Sequence, residues 1–423
     1  MLQTNYIVEN QAEVIEKLKI KNFDASEILP QIEEKNDLRK KLQKELDATL
    51  AEANKIAKSI GQLFKEGKRE EAEQMKARSA ELKNLSKQLG DDSAANDKDL
   101  QELILALPNI PHPSVKQGKG EEDNEILSEH GQIPDLGAFN VPHWELTKKY
   151  DLIDFELGVK LTGAGFPVYK GKGAKLQRAL INFFLDEAID NGYLEVLPPL
   201  MVNEDSAYGT GQLPDKEGQM YHMPADNLYM IPTAEVPVTN MYRNVILREN
   251  DFPVKNVAYS ACFRREAGSY GKDVRGLNRL HQFDKIEIVQ VQHPDKSYDT
   301  LEEMKAHVEG LLQKLELPYR TLRLCGGDLS FTAALTFDYE VYSAAQERWL
   351  EVSSVSNFEN FQANRLKLRF KDENGKSQLA HTLNGSALAL PRIMAALMEN
   401  NQVEEGIKVP KVLQRYTGFE IIN

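Results

Sequence analysis

The sequence predicts an α+β protein in two unlike parts, a long antiparallel helical hairpin followed by a large domain of strands and helices. Three observations carry this. Residues 26–107 are rich in Glu, Lys, Ala and Leu, with apolar side chains recurring at steps of three and four. A proline cluster follows, Leu107-Pro108-Asn109-Ile110-Pro111-His112-Pro113. Beyond about residue 120, strand-like runs at 257–263, 283–291 and 349–355 alternate with helical stretches.

In the hairpin, one apolar stripe runs through Ile28, Ile32, Leu38, Leu42, Leu46, Leu50, Ala53, Ile56, Ile60 and Leu63. A second runs through Ala72, Met75, Ser79, Leu82, Leu85 and Leu89 and resumes at Leu100, Leu103 and Leu107. The break falls at Lys65-Glu66-Gly67-Lys68, which predicts two helices folded back on each other. Pro30 lies in the first turn, where proline is tolerated. A first helix of roughly 36 residues spans about 54 Å at 1.5 Å per residue, an arm longer than a compact domain covers. Gly90-Asp91-Asp92 could interrupt the return helix. Periodicity alone fits a dimerisation coiled coil equally well. Residues 30–90 hold 14 Lys/Arg against 11 Asp/Glu, whereas the whole chain carries a net charge of −13. The arm is therefore the least acidic part of an acidic protein, which permits contact with phosphates.

Composition narrows the class. With 423 residues the chain has room for two or three domains. The negative net charge argues against global attraction to nucleic acid, so any RNA contact must use local basic surface. Only Cys262 and Cys325 occur, without C-x-x-C spacing, which argues against structural zinc or a disulfide framework and fits a reducing, cytoplasmic compartment. No signal peptide and no membrane-spanning apolar run are read from the sequence. The expected division is 1–107 for the helical part, 108–120 for a stiff proline-rich link, and 121–423 for the large domain.

The chemistry concentrates in four places. Phe263-Arg264-Arg265-Glu266 ends a predicted strand. A glycine-rich basic loop follows, and then His281-Gln282-Phe283-Asp284-Lys285-Ile286-Glu287. Alternation puts Arg264 with Glu266 on one strand face, and Phe283, Lys285 and Glu287 together on the other strand. An Arg fork, a ring and carboxylates on one face suit a nucleotide. Surface ion pairs around a core phenylalanine are the commoner reading of such spacing by itself. Glu351-Val352-Ser353-Ser354 is a further block of carboxylate and hydroxyls, although a lone Glu-x-Ser means nothing by itself. Alternation places Ser353 with Glu351 and Ser354 opposite, so using both serines needs a bulge. His381-Thr382-Leu383-Asn384-Gly385-Ser386 leads to Pro391-Arg392. Pro391 costs roughly 3 kcal/mol inside a helix but is tolerated at its start, which predicts a helix beginning there or a kink. Thr233-Ala234-Glu235 is a weak signal by itself.

Together these segments resemble class II aminoacyl-tRNA synthetases. The Arg264–Lys285 region looks like motif 2, residues 381–392 like motif 3 and residues 171–202 like motif 1. The details Ala267-Gly268-Ser269, Arg275-Gly276-Leu277 and Tyr208-Gly209-Thr210-Gly211-Gln212-Leu213-Pro214 are similar to seryl-tRNA synthetases, bacterial type, and the resemblance runs along the whole chain. It implies an antiparallel sheet flanked by helices behind a coiled-coil arm that binds the long variable arm of tRNA. It implies ATP as co-substrate with Mg²⁺, L-serine and tRNA(Ser) as substrates, tRNA(Sec) as a further one, and a homodimer built on motif 1. In that family Arg264 and Arg392 would act catalytically on the phosphates. Arg264, Arg265, Glu266, Phe283, Glu351, Val352, Ser353, Ser354 and Arg392 would bind ATP, with Glu266 at the adenine edge and Phe283 stacked on the ring. Glu351 and Ser354 would hold the metal. Thr233, Ala234, Glu235, Glu287, Asn384 and Ser386 would receive serine, Thr233 and Glu235 at its ammonium and Glu287 and Ser386 at its hydroxyl. The loop 268–278, with Lys272 and Arg275, would meet the acceptor end of the tRNA. The family often has Ser at position 265 and commonly Gly at 391.

Three rivals are weaker. Relatives that load a carrier protein lack the arm. A non-catalytic paralogue or coiled-coil interaction protein would not need Arg264, Glu266, Glu287, Glu351 and Arg392 together. The zinc-dependent archaeal form would need an insertion and ligands not seen here. His143, His281 and His381 lack metal-ligand spacing and read as structural, and Cys262 reads as a packed strand residue.

Overall fold

The computed structural model describes residues 1–216, 218–266 and 274–423. The chain divides into two units. Met1–Lys19 with Phe23–Pro108 form one, and Ile20–Asn22 with Asn109–Asn423 form the other.

In the first unit, two short helices (Thr4–Glu9 and Gln11–Lys19) precede α1 (Ile28–Lys65) and α2 (Arg69–Leu105). The reversal is tight because Gly67 takes φ +77, a left-handed conformation that glycine adopts without strain. Leu29, Ile32, Leu42, Ala72, Leu82, Leu89, Leu100 and Ile104 form the buried seam. Ion pairs Arg78–Glu52 and Lys35–Asp99 cross between the helices. Two expectations change. Helix α2 runs unbroken through Gly90-Asp91-Asp92, since one glycine costs only about 1 kcal/mol and burial of Leu82 and Leu89 exceeds it. Leu38, Leu50 and Leu85 do not join the seam and stay 38%, 44% and 44% exposed, because a two-helix pair covers only one side of each helix.

The second unit is built on an eight-stranded sheet. Its strands in chain order are β1 (Glu125–His130), β2 (Leu194–Glu195), β3 (Val254–Phe263), β4 (Gln282–Gln292), β5 (Tyr319–Arg323), β6 (Leu335–Ser343), β7 (Arg348–Asn357) and β8 (His381–Ala389). Across the sheet they run β1-β5-β6-β7-β8-β4-β3-β2. Every neighbouring pair is antiparallel except β2 with β3. Helices α3 (Gly171–Asp190), α4 (Ser297–Lys314) and α5 (Leu390–Asn400) pack on the sheet. The apolar side chains between them make the main core, with Leu180, Phe183, Ile288, Val308, Val355 and Ile393 fully enclosed. The mainly antiparallel sheet flanked by helices is the fold class read from the sequence.

Three local features follow the chain's chemistry. Leu176, Leu180, Phe183 and Ala188 line the buried face of α3, as their spacing predicts. Pro391 sits in the first turn of α5, where no backbone N–H is needed, so the helix starts there without a kink. The proline-rich segment is fastened rather than loose. Buried Asn109 donates through Nδ2 to the carbonyls of Thr332 and Phe358, both at 2.9 Å, and the His112 N–H donates to Ala334 O at 2.8 Å.

Candidate functional site

Strands β3, β4, β8 and β7 lie side by side in the sheet, and most of the predicted site residues lie on or beside one face of it. Register fixes which residues join it. Glu287 lies opposite Ala258 on β3 and Ser386 on β8, and Ser356 lies opposite Asn384. Directly paired residues point the same way, so Glu287, Asn384 and Ser386 project together.

The inner part of the face is a buried polar pocket. Thr233, Glu235, Glu287, Asn384 and Ser386 are all under a tenth exposed, and Ala234 is fully enclosed. Glu235 opens a short helix, Glu235–Asn240, and its N–H donates to Thr233 Oγ1 at 3.2 Å. Its Oε1 accepts from Gln362 Nε2 at 2.7 Å. Burial, followed by the nearby Glu287 charge, pushes the Glu235 carboxyl up to about 7, while Gln362, Lys285 and Asn384 act the other way. Lys285 Nζ stands 2.5 Å from Glu287 Oε2, with both side chains buried. That oxygen has no hydrogen bond, so the contact is an ion pair lying off the hydrogen-bonding direction. Two carboxylates and one ammonium give the ionised pocket a net charge of −1, suited to one incoming ammonium.

The outer part is more open. Arg264 lies just beyond β3, donates from Nε to Pro232 O at 3.4 Å and places its guanidinium 5.3 Å from the centre of the Phe283 ring. Arg392, in the first turn of α5, donates to Asn278 O at 3.1 Å and to Glu351 O at 2.8 Å. Its nearest carboxylate oxygen, on half-exposed Glu351, is 3.8 Å away. Both arginines are thus held mainly by neutral carbonyls, which keeps their charge available to an anion.

Simple strand alternation fails at two places here. Strand β3 ends at Phe263 and Glu266 turns to φ +51, so Arg264 and Glu266 are not alternate residues of one strand. Glu266 instead pairs with Arg279 at 2.6 Å. On β7 a bulge at Val352 shifts the register, with Tyr339 opposite Ser353 but Glu340 opposite Glu351. The extra residue moves Glu351 onto the face of Ser354, which lies opposite Asp338, and leaves Ser353 on the other side. Ser354 Oγ donates to Asp338 Oδ1, whereas Ser353 Oγ donates to Ser386 O at 2.5 Å. An exposed carboxylate and a hydroxyl on one face fit a hard cation that completes its shell with phosphate and water. Buried Val352 contributes the bulge.

Arg265 is exposed, and its guanidinium lies 6.0 Å from the centre of the Tyr221 ring. In the loop 268–278, Gly268 to Asp273, Lys272 among them, lie outside the described residues. Arg275 lies 5.9 Å from the Trp144 ring centre. The histidines have structural partners. His143 Nδ1 meets Glu399 Oε1 at 2.6 Å while its Nε2 accepts from the Leu277 N–H at 2.8 Å. His281 and His381 meet Tyr221 and Ser297. Cys262 is fully buried in β3, and burial pushes its thiol up. No group of three His, Cys, Asp or Glu side chains among the described residues could hold a metal ion. Sequence reasoning missed Lys285, Gln362 and Arg279 as partners of Glu287, Glu235 and Glu266. Lys285 was visible as the alternate residue to Glu287, whereas Gln362 gave no local signal.

Comparison with known proteins finds relatives along the whole chain. A model of the seryl-tRNA synthetase N-terminal domain matches residues 1–111. One of the class II tRNA synthetase core domain (G, H, P, S and T) matches residues 221–401. The serine–tRNA ligase of Salinibacter ruber is 49% identical over 421 residues, covering 99% of this chain and 98% of its own. Seryl-tRNA synthetase from Pyrococcus horikoshii, solved with ATP, superposes with a TM-score of 0.89 at 34% identity, covering 100% of this chain and 99% of its own. Cytoplasmic serine–tRNA ligase from Naegleria fowleri, solved with AMP, gives 0.85 at 25% identity with the same coverage. With 49% identity sustained over 421 residues, and family models matching residues 1–111 and 221–401, the chain belongs to the seryl-tRNA synthetases, the class II serine–tRNA ligases.

Proposed function

We propose that this chain activates L-serine with ATP and transfers it to tRNA(Ser). The observation that carries the reading is the buried pocket of Thr233, Glu235, Glu287 and Ser386 on the sheet face that also bears Arg264, Glu351 and Arg392. Glu235 and Thr233 receive the α-ammonium, and Glu287 and Ser386 the side-chain hydroxyl. A site built to hydrogen-bond a hydroxyl rejects the analogue lacking it by about 10⁴–10⁵, which excludes alanine, and size excludes threonine. A serine carboxylate oxygen attacks the α-phosphorus, the bond to pyrophosphate breaks, and seryl-adenylate forms. A ribose hydroxyl at the tRNA end then attacks the activated carbonyl and AMP leaves. No protein nucleophile is needed. Arg264 at the α-phosphate, Arg392 at the outer phosphates and Phe283 under the adenine supply orientation and charge stabilisation. Glu351 and Ser354 would hold Mg²⁺, which neutralises charge on the phosphates.

The helical unit 1–107 serves as the tRNA-binding part, 108–120 as its link and 121–423 as the catalytic part. Recognition of tRNA(Sec) as well, a homodimer and a cytoplasmic location belong to the same reading. The homodimer draws support from the exposed apolar residues after α3: Leu194, Leu197, Leu200 and Met201 are between 40% and 83% exposed. No helix among the described residues is long and apolar enough to cross a membrane. Serine- and tRNA-dependent AMP release tests the reading, with alanine and threonine as controls and a variant lacking about residues 30–100 as a second arm. Expected are release with serine only, and serine activation without charging in the shortened chain. Release driven by alanine, or charging retained without the arm, would overturn it.

A further inference from the structure

We propose that Gln362 is a positioning residue for amino-acid recognition, its carboxamide locked so that Glu235 is presented to the α-ammonium of serine. The proposal rests on the reading of Glu235 as the ammonium acceptor. Gln362 lies in the first turn of a short helix, Phe361–Leu366, and is 1% exposed. Its Nε2 donates to Glu235 Oε1 at 2.7 Å and to Thr210 O at 3.2 Å. Its Oε1 accepts from Thr382 Oγ1 at 2.7 Å. A carbonyl can only accept, so Thr210 O fixes the nitrogen of the amide toward itself and Glu235. That leaves Oε1 for the Thr382 hydroxyl, and both amide protons and the amide oxygen are used. The three partners come from the end of the helix Glu204–Thr210, from the start of the helix Glu235–Asn240 and from β8. Gln362 therefore pins Glu235 to two other segments of the pocket.

Position is one consequence and ionisation is the other. The Glu235 carboxyl is buried and faces Glu287, both of which favour its neutral form; Lys285 on β4 and Asn384 on β8 act with Gln362 in the opposite sense. A neutral carboxyl cannot pair with an ammonium. Loss of the amide donor thus weakens serine binding twice, by freeing the side chain and by reducing the ionised fraction near neutral pH. ATP, bound by Arg264 and Arg392 in the proposed function, is not affected.

The test is serine-dependent pyrophosphate exchange with serine and ATP varied separately, from about pH 6 to about pH 9, with thermal melting alongside. The variants are Gln362→Met, which keeps length and loses the amide, and Thr382→Val, which exchanges one hydroxyl for a methyl. Expected for Gln362→Met is a serine KM raised roughly tenfold to a hundredfold, as for loss of a hydrogen bond to a charged group, with ATP KM within about twofold. The serine KM should also begin to climb at a higher pH than in the parent. Thr382→Val should show the same pattern with smaller amplitude, and it carries the test alone if Gln362→Met fails to fold. A folded variant with unchanged serine KM, or with serine and ATP KM raised equally, overturns the proposal. Glu235→Gln in the same assay separates the two readings. If it leaves serine KM unchanged, the assignment of Glu235 itself falls. If it raises serine KM while the Gln362 and Thr382 variants do not, only the role of Gln362 falls.

Discussion

The two parts of the site treat charge in opposite ways. In the inner pocket each ionisable group has a protein partner: Glu235 has Gln362, and Glu287 has Lys285. On the outer face Arg264 and Arg392 rest on backbone carbonyls, and Glu351 is half-exposed. The difference follows from burial. A charge taken out of water needs a partner at once or it costs several kcal/mol, whereas a half-exposed guanidinium remains solvated until its ligand arrives. In the proposed function the pocket is then pre-assembled for discrimination, and the outer face holds its charge in reserve for phosphates. Substitutions in the pocket should therefore affect stability and function together. Those on the outer face should affect function alone.

The largest expected effect breaks the outer face. Arg264→Ala should lower serine-dependent pyrophosphate exchange by about 10³-fold while moving the melting temperature by no more than about 2 °C. Near-normal exchange would remove Arg264 from the phosphate site. The pocket counterpart is Glu287→Ala, which strands the buried Lys285 ammonium. It should cost about 3–5 kcal/mol and lower the melting temperature by roughly 5–10 °C, besides abolishing preference for serine over alanine. Parental melting would show that the ion pair is not carried as a buried charge.

pH sharpens the contrast. The Glu235 carboxyl titrates at about 7 in the folded chain, above its ordinary 4.5. Below that pH it is neutral, so serine KM should rise, by about tenfold at pH 6 relative to its value well above 7. Stability moves the other way. The folded state binds the proton more tightly than the unfolded one, so this group's contribution is fully present below about 4.5 and is lost as pH rises through about 7. Serine titrations and melts over one pH series check both signs, and a pH-independent serine KM would contradict an ionised Glu235 at the ammonium.

The smallest effect separates two neighbouring serines. Ser354→Ala should raise the Mg²⁺ concentration needed for half-maximal exchange by roughly threefold to tenfold, because one oxygen leaves the face of Glu351. Ser353→Ala should leave that requirement unchanged, since its hydroxyl points to Ser386 O. The reverse result would place the metal on the other side of the strand.

Features that rest on short-range regularity are legible in the chain before it folds. The 3.6-residue period gave the helical hairpin and the buried face of α3. The strand runs gave the antiparallel β3–β4 pair and the β7 segment, and the fixed geometry of proline placed Pro391 at a helix start. Motif resemblance groups the site residues, and most of them lie on or beside one sheet face. Features that depend on a partner far along the chain are fixed by packing alone. The bulge at Val352, which exchanges Ser353 for Ser354, exists in the register with β6 and not in the local sequence. The end of β3 at Phe263, the pairing of Glu266 with Arg279, and the exposure of Leu38, Leu50 and Leu85 are settled in the same way. Gln362 reaches Glu235 across 127 positions of sequence. Periodicity reports which side of an element a residue occupies. Which neighbour waits on that side is fixed only when distant segments pack.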